Sequence, residues 1–500
     1  MERLNAGRKS RQPSKVAEMP FIVSRDLEKA DATTRKLIRS HVMQGKKKRV
    51  RPRKSMQVQA VVMQSIPKAE SEATLAEEMR HRYTTSMPRR VGSDLSFIDF
   101  ADDIELSMLL NMMKIADVAL GIIFPLLNVV GIRVDQEKRL YPIQGDAAAL
   151  HISVYAVEDF MNKVLRYNHG SSYNAMIHYH KGLRILRERL LGDDEEAKIA
   201  DSTLGAILKL ASAAQFCGDT QTAVQHMRGV YRIIDIRGGL NVFDGTEIQF
   251  ETCRYDLSIA LLSGLKPFFF TSEESFIPYP EELLILDDEH NDSPGHTSFL
   301  CHVHNDLAVA WRVLRRFCSL GNLGVHTRRR MRPRLILDTM NSVMYRLLHM
   351  EFAADSTDES IRLGLLTFSH HVFLQWHDIR PVDSYFTHTY RTRLLQSDFY
   401  KRLPSHLILW FLMIAAISIF DVSAEMWLED ALRKYIEKTG LRKWKDVQEM
   451  MNSVMWVAAL DEQPARRIFN SIRPTRPKGW PVQSHSGDLL ARVSPDNHCV

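Results

Sequence analysis

From about Asp94 onward the chain reads as long segments in which apolar residues recur every three or four positions, separated by short polar breaks. That spacing puts the apolar residues on one face of a 3.6-residue helix. It predicts helices over 103–119, 146–167, 171–191, 201–217, 219–237, 246–263, 300–319, 332–352, 357–378, 404–420, 423–438, 443–459 and 463–471. Apolar–polar alternation rarely lasts beyond four residues, and Asp244-Gly245 falls between helical segments, not between two β-branched runs. The expected fold class is all-α.

The most legible pair is 201-DSTLGAILKLASAAQFCGD-219 followed by 219-DTQTAVQHMRGVYRIIDIRGG-239. Leu204, Ile207, Leu208, Ala211 and Ala214 form one stripe, and Ala223, Met227, Val230, Ile233 and Ile234 form the next. Asp219 or Thr220 is the expected N-cap of the second helix, with Gly238-Gly239 its stop. An antiparallel hairpin follows from two such stripes joined by a tight turn. The preceding helix repeats the pattern through Ala175, Tyr179, Leu183 and Leu186, so the expected architecture is a large array of antiparallel helical hairpins.

The pattern also sets the expected boundaries: a basic, mostly disordered segment over 1–55 with one short helix ending at Gly45, a linker over 56–93, the helical body over 94–472, and a disordered tail over 473–500. Within the body, the Pro-rich acidic stretch 266–295 reads as a surface loop. The two most apolar stretches are 104–132 and 407–420. The first carries Glu105, Asn111, Lys114 and Asp117, and the second has only 14 residues where a bilayer crossing needs about 20, so both are expected to be buried helices and no membrane contact is expected.

Charge changes the picture at one end only. The formal net charge is +6, but residues 1–55 hold 17 Lys/Arg against 5 Asp/Glu, which leaves −6 for the remainder. The densest part is 46-KKKRVRPRK-54, where Lys46, Lys47, Lys48, Arg49, Arg51, Arg53 and Lys54 are the candidate functional residues. Such a run suits nuclear import or contact with phosphates, each cation displacing a counterion. No positioned reading helix or zinc-ligand spacing accompanies it in residues 1–60, so any DNA contact through it is expected to be non-specific.

Candidate chemistry in the body is sparse. The five cysteines, Cys217, Cys253, Cys301, Cys318 and Cys499, are far apart and suit neither a disulfide framework nor a structural zinc module, and the N-terminus has no signal-peptide pattern, so a reducing intracellular compartment is expected. The histidine pairs in 178-HYH-180, 301-CHVH-304 and 370-HH-371 lack the i, i+3 or i+4 spacing that would aim two imidazoles from one helical face, none sits in an H-E-x-x-H frame, and they read as ordinary helix and loop residues. Acidic runs at Asp102-Asp103, Asp193–Glu196 and Asp287–Glu289 read as caps or solubilising groups, and the Met and aromatic stripes at 343–352 and 450–460 as core. No phosphate loop, nucleophile elbow or dinucleotide fingerprint is present; no enzyme activity, metal or cofactor is expected.

Several stretches resemble the fungal-specific transcription factor family, whose large helical regulatory domain usually follows a binuclear zinc cluster. They are 178-HYHKGLRILRERL-190, 204-LGAILKLASAAQFCGDTQTAVQHMRGVYRIIDIRGGL-240, 409-LWFLMIAAISIF-420 and 441-LRKWKDVQEMMNSVMWVAALDEQPARRIF-469. The most specific portion is His226-Met227-Arg228-Gly229 leading a helix that ends in Arg237-Gly238-Gly239-Leu240, and 35-RKLIRSHVMQGK-46 is similar to an N-terminal segment of such proteins. The resemblance implies a nuclear transcriptional regulator acting through its helical domain, with transcription-related protein partners. The six closely spaced cysteines of the zinc cluster do not occur here, since no cysteine precedes Cys217. A helical interaction scaffold without a transcriptional role is the rival expectation. Homo-oligomerisation and a small-molecule effector of unknown identity stay open.

Overall fold

A computed structural model describes residues 100–112, 115, 126, 145–162, 173–284, 298–327, 329, 331–376, 380, 381 and 383–472, all within one compact unit, Ser71–Val500. The described residues are 76% helical, with 16 helices and no strand. The segments 1–55, 56–93 and 473–500, including the basic run, lie outside the described residues.

The N-terminal half of the body is a set of hairpins. Helix α1 (Ala147–Phe160) packs against α2 (Tyr173–Leu191) and α3 (Asp201–Phe216), and α3 pairs with α4 (Thr220–Ile236). Asp146 ties the first three together: it caps α1 by accepting from Ala149 N at 2.9 Å, takes a two-pronged contact from Arg189 on α2 at 2.7 and 2.8 Å, and accepts from Ser202 on α3. As expected from the pattern, Ala223, Met227, Val230, Ile233 and Ile234 are all buried, and Asp219 caps α4 through Thr222 N at 3.0 Å. Asp194 likewise caps the short helix Glu195–Lys198 through Ala197 N at 3.0 Å.

Helix α5 (Glu247–Ser263) links this half to the rest, touching α3 and α4 on one side and α7 (Pro333–His349) and α9 (Tyr385–Leu395) on the other. The other long helices of this half are α6 (Asn305–Thr327), α8 (Thr357–Ser369), α11 (Met426–Thr439), α12 (Trp444–Val454) and α13 (Ala458–Ser471). At the centre is α10 (Ser405–Ser418), whose residues Leu407–Ala416 are all 0% exposed. Helices α8, α11, α12 and α13 surround it, so it is apolar all round, and each fully buried Leu, Ile or Phe contributes about 1.5–3 kcal/mol. No helix among the described residues is long and apolar enough to cross a membrane.

Three departures from the sequence expectation have physical causes. The stretch 266–284 is not a free surface loop: Asp256, buried on α5, accepts from Phe268 N at 2.8 Å, Phe269 N at 3.1 Å and Tyr345 Oη at 2.9 Å, and Phe269 is buried. Burial pushes the Asp256 carboxyl up to about 7 despite those donors. Phe270 follows with φ +50°, outside the ordinary range for a residue with a Cβ, and its ring meets Tyr345 edge-on at 4.8 Å.

The second departure is the helix expected over 443–459, which ends at Val454, while α13 starts at Ala458 with Pro464 inside it. The intervening chain is held from two sides. Asn322 on α6 accepts from Ala458 N at 2.9 Å and donates to Trp456 O at 2.8 Å, and Asp461 accepts from Val457 N at 2.7 Å. Pairing those groups fixes a helix start six residues before the proline, whose missing N–H costs about 3 kcal/mol in a helix interior. The third departure, in the helix expected over 357–378, creates the site described next.

Candidate functional site

Helix α8 does not run on to 378; at His370 it widens into a π turn, His370–Leu374, closed by Gln375 N donating to His370 O at 2.8 Å. A π turn inserts one residue into the helical register, so side chains after it point away from the face that periodicity assigns them. Here it separates two adjacent histidines. His371 reaches Asp461 of α13 through Nε2 at 2.8 Å and Gln375 Oε1 through Nδ1 at 2.8 Å, whereas His370 faces α5 and a cleft.

The cleft has a volume of about 80 Å³. The end of α3 supplies Gln215 and Phe216, α5 supplies Arg254, Tyr255 and Ser258, and the π turn and its continuation supply His370, Gln375, Trp376 and Arg380. One wall is apolar: the Trp376 ring meets Phe216 at 4.2 Å and Phe160 at 5.1 Å. The floor is charged. Arg254 is 3% exposed and donates through Nε to Phe373 O at 3.0 Å and through Nη2 to Leu374 O at 3.0 Å, which satisfies carbonyls at the end of the π turn. Burial pulls this guanidinium down to about 10, so it carries its charge at neutral pH.

The far side is fastened to the end of α10. Gln375 donates to Ser418 O at 2.8 Å, and Arg380 donates to Ala416 O at 3.0 Å and to Phe420 O. Among the described residues, no Asp or Glu lines the cleft. Two buried polar atoms in it have no hydrogen-bond partner within the protein: Nδ1 of His370, which is 4% exposed, and Oε1 of Gln215, whose amide nitrogen donates to Ser258 Oγ. Burial, with the nearby His371 and Arg254 charges, holds His370 down at about 3, and the ring is neutral at physiological pH.

The His370 shift carries a prediction. Between its unfolded value near 6.5 and its folded value near 3, only the unfolded chain holds the proton, so this group favours folding above pH 6.5 and that advantage is lost as pH falls. At pH 5 the loss amounts to about 2 kcal/mol. Urea midpoints of the native chain and a His370→Gln variant, compared at pH 7 and pH 5, are expected to show the native chain losing that much more. Parallel losses would mean that the ring is not held neutral.

The other sequence candidates resolve into structure. His178 meets His151 of α1, Nδ1 to Nδ1 at 2.8 Å, and burial lowers both; His180, two residues on, lies against Tyr179 instead. His151 Nε2 lies 3.3 Å from Asp102, which Lys181 pairs at 2.8 Å, so this acidic pair is not merely solubilising. Among the described residues no group of three or more His, Cys, Asp or Glu is placed to hold a metal ion. The Arg237-Gly238-Gly239-Leu240 motif closes α4. Gly238 and Gly239 take φ +98° and +96°, Gly239 N returns to Ile234 O at 2.9 Å, and Leu240 is buried. Arg237 pairs with Asp201, donates to Ile199 O at 3.2 Å and covers the Phe243 ring at 4.3 Å, which pins the hairpin end.

The seven residues of the basic run are not brought to any site, because they lie outside the described residues. Sequence reading missed the cleft: its lining comes from positions between 215 and 381, and the one local signal, 370-HH-371, lacks a metal-ligand spacing and so reads as ordinary helix residues. Compared with protein-family models, curated proteins and solved structures, the chain has no match.

Proposed function

We propose that the chain is a nuclear transcriptional regulator that works through protein contacts of its helical body, with no zinc-cluster DNA-reading module within this sequence. The observation that carries the reading is the pairing of a dense basic run, Lys46–Lys54, with a long all-α body of helical hairpins. The resemblance of the α3–α4 hairpin to the fungal-specific transcription factor family gives that body its assignment. In this reading the basic run is recognised by the import machinery as unpaired positive charge, adds non-specific phosphate contact in the nucleus, and leaves target choice to partners. The reading assigns the body no catalytic step.

A fusion of residues 30–60 to a fluorescent protein is expected to accumulate in nuclei. Replacing Lys46, Lys47, Lys48, Arg49, Arg51, Arg53 and Lys54 by Ala in the full chain is expected to lower the nuclear-to-cytoplasmic ratio several-fold. A cytoplasmic fusion together with unchanged localisation of the substituted chain would remove the import role. Tethering residues 56–500 to a heterologous DNA-binding domain is expected to change reporter output. An unchanged reporter would favour the helical scaffold without a transcriptional role.

A further inference from the structure

We propose that the end of α2 and the turn after it form the docking face of a homodimer, in which a second copy of this chain packs antiparallel across Leu190 and Leu191. The inference stands apart from the nuclear reading and rests on the order of charged and apolar groups along one exposed strip.

Burial divides the last two turns of α2. Leu186 is buried and Arg189 reaches inward to Asp146 and Thr203, so these two side chains hold the helix to the body. The opposite face carries Arg184, Arg187 and Leu191 at i, i+3 and i+7, all exposed, with Leu191 73% and the adjoining Leu190 40% exposed. Beyond Gly192 the chain turns through Asp193, Asp194, Glu195 and Glu196, which are exposed as well. The strip therefore reads basic, apolar, acidic in one direction. Its charges are not used up within the chain. Among the described residues Arg187, Asp193 and Glu196 have no ion-pair or hydrogen-bond partner, and Arg184 has only Glu188 at 4.0 Å, a surface pair too exposed to hold either side chain in place. In the acidic block Glu195 is paired by Lys198 at 2.6 Å and Asp194 caps the short helix, which leaves Asp193 and Glu196 free to face another surface.

An order of charge that runs one way is what a two-fold interface needs. An axis through Leu190 and Leu191 brings Arg184 and Arg187 of each copy against Asp193 and Glu196 of the other, twice over, and closes the two pairs of leucines on each other, so the strip is its own complement. A partner with an all-basic or an all-acidic surface would meet one of the two blocks with like charge, which is why a second copy fits better than either. Arg184 and Leu191 are seven residues apart, about 10 Å of helix, so both ionic junctions flank the leucines within one small interface. Exposed apolar residues with a polar rim on both sides are the usual make-up of such a contact.

Sedimentation velocity of the purified full-length chain, from about 1 to about 100 µM in low salt, is expected to show a reversible monomer–dimer equilibrium that weakens at least threefold at about 0.5 M NaCl, because both junctions are ionic. Leu191→Asp is expected to stay monomeric throughout that range. Charge exchange then tests the register. Arg184→Glu with Arg187→Glu, and separately Asp193→Lys with Glu195→Lys and Glu196→Lys, are each expected to weaken self-association at least tenfold. An equimolar mixture of the two is expected to form a heterodimer close to the native affinity, since one strip is then acidic along its length and the other predominantly basic. Unfolding midpoints measured alongside show which variants are folded; if a charge variant is not, Leu191→Asp and the salt dependence of the native chain decide. A native chain that stays monomeric, which would leave the strip to a different partner, a dimer unmoved by Leu191→Asp, or folded charge variants that fail to restore each other would each overturn the proposal.

Discussion

Gly364→Ala is expected to destabilise the body by about 3 kcal/mol, although the same change in an open helix is favourable by about 1 kcal/mol. Gly364 lies inside α8, and a Cβ there would stand 2.0 Å from Phe411 Cε1, 2.7 Å from Cδ1 and 2.8 Å from Cζ. A ring at a free edge could swing aside, but this one cannot. Phe411 is 0% exposed on the central helix, with Phe399 edge-on at 5.4 Å and Trp410 at 5.3 Å. The cost therefore falls on the spacing of α8 and α10, the two helices whose C-terminal ends carry the π turn and its acceptor carbonyls. Gly205→Ala is the internal control: it is also helical, on α3, and an added Cβ meets nothing within 4 Å. Thermal and urea unfolding should show the control unchanged or more stable, and Gly364→Ala lower by several degrees. Equal behaviour of the two would mean that α8 and α10 are not packed at this distance.

That contrast illustrates which parts of the molecule periodicity can reach. The α3–α4 hairpin was legible because its stripes, its Asp219 cap and its Gly238-Gly239 stop all act within a few residues of one another. The central helix was legible in type, since Leu407–Phe420 is apolar and too short for a bilayer, although its neighbours were not. The π turn was illegible because 357–378 keeps a helical composition throughout, and one extra residue in the register leaves no mark on hydrophobic spacing. The docking of 266–270 was illegible for a different reason. A Pro- and Phe-containing acidic stretch reads as loop, and only the buried Asp256 on another helix supplies acceptors for its backbone. The cleft combines both difficulties, a register shift and residues gathered across more than a hundred positions, and so no local motif announced it.

Asp461→Ala is expected to be more damaging than any surface substitution, at about 3–5 kcal/mol, and to disturb the cleft from a distance. Asp461 is 0% exposed and accepts from Val457 N at 2.7 Å and His371 Nε2 at 2.8 Å. Removing the carboxylate orphans a buried backbone N–H at the start of α13 and the imidazole that holds Gln375 Oε1 at 2.8 Å. Gln375 in turn donates to Ser418 O at the end of α10 and lines the cleft, so the chain of bonds runs from α13 through the π turn to the site. Asp461→Asn keeps one acceptor oxygen at nearly the same volume. It should recover part of the loss, because that oxygen can serve Val457 N or the His371 ring but the amide nitrogen cannot accept from the other. Urea midpoints should therefore rank native, Asn, Ala, and hydrogen exchange at the Val457 and Gln375 amides should speed up in the same order. An Ala variant as stable as the Asn variant would show that the buried imidazole and backbone N–H find other acceptors, and that the π turn does not depend on α13.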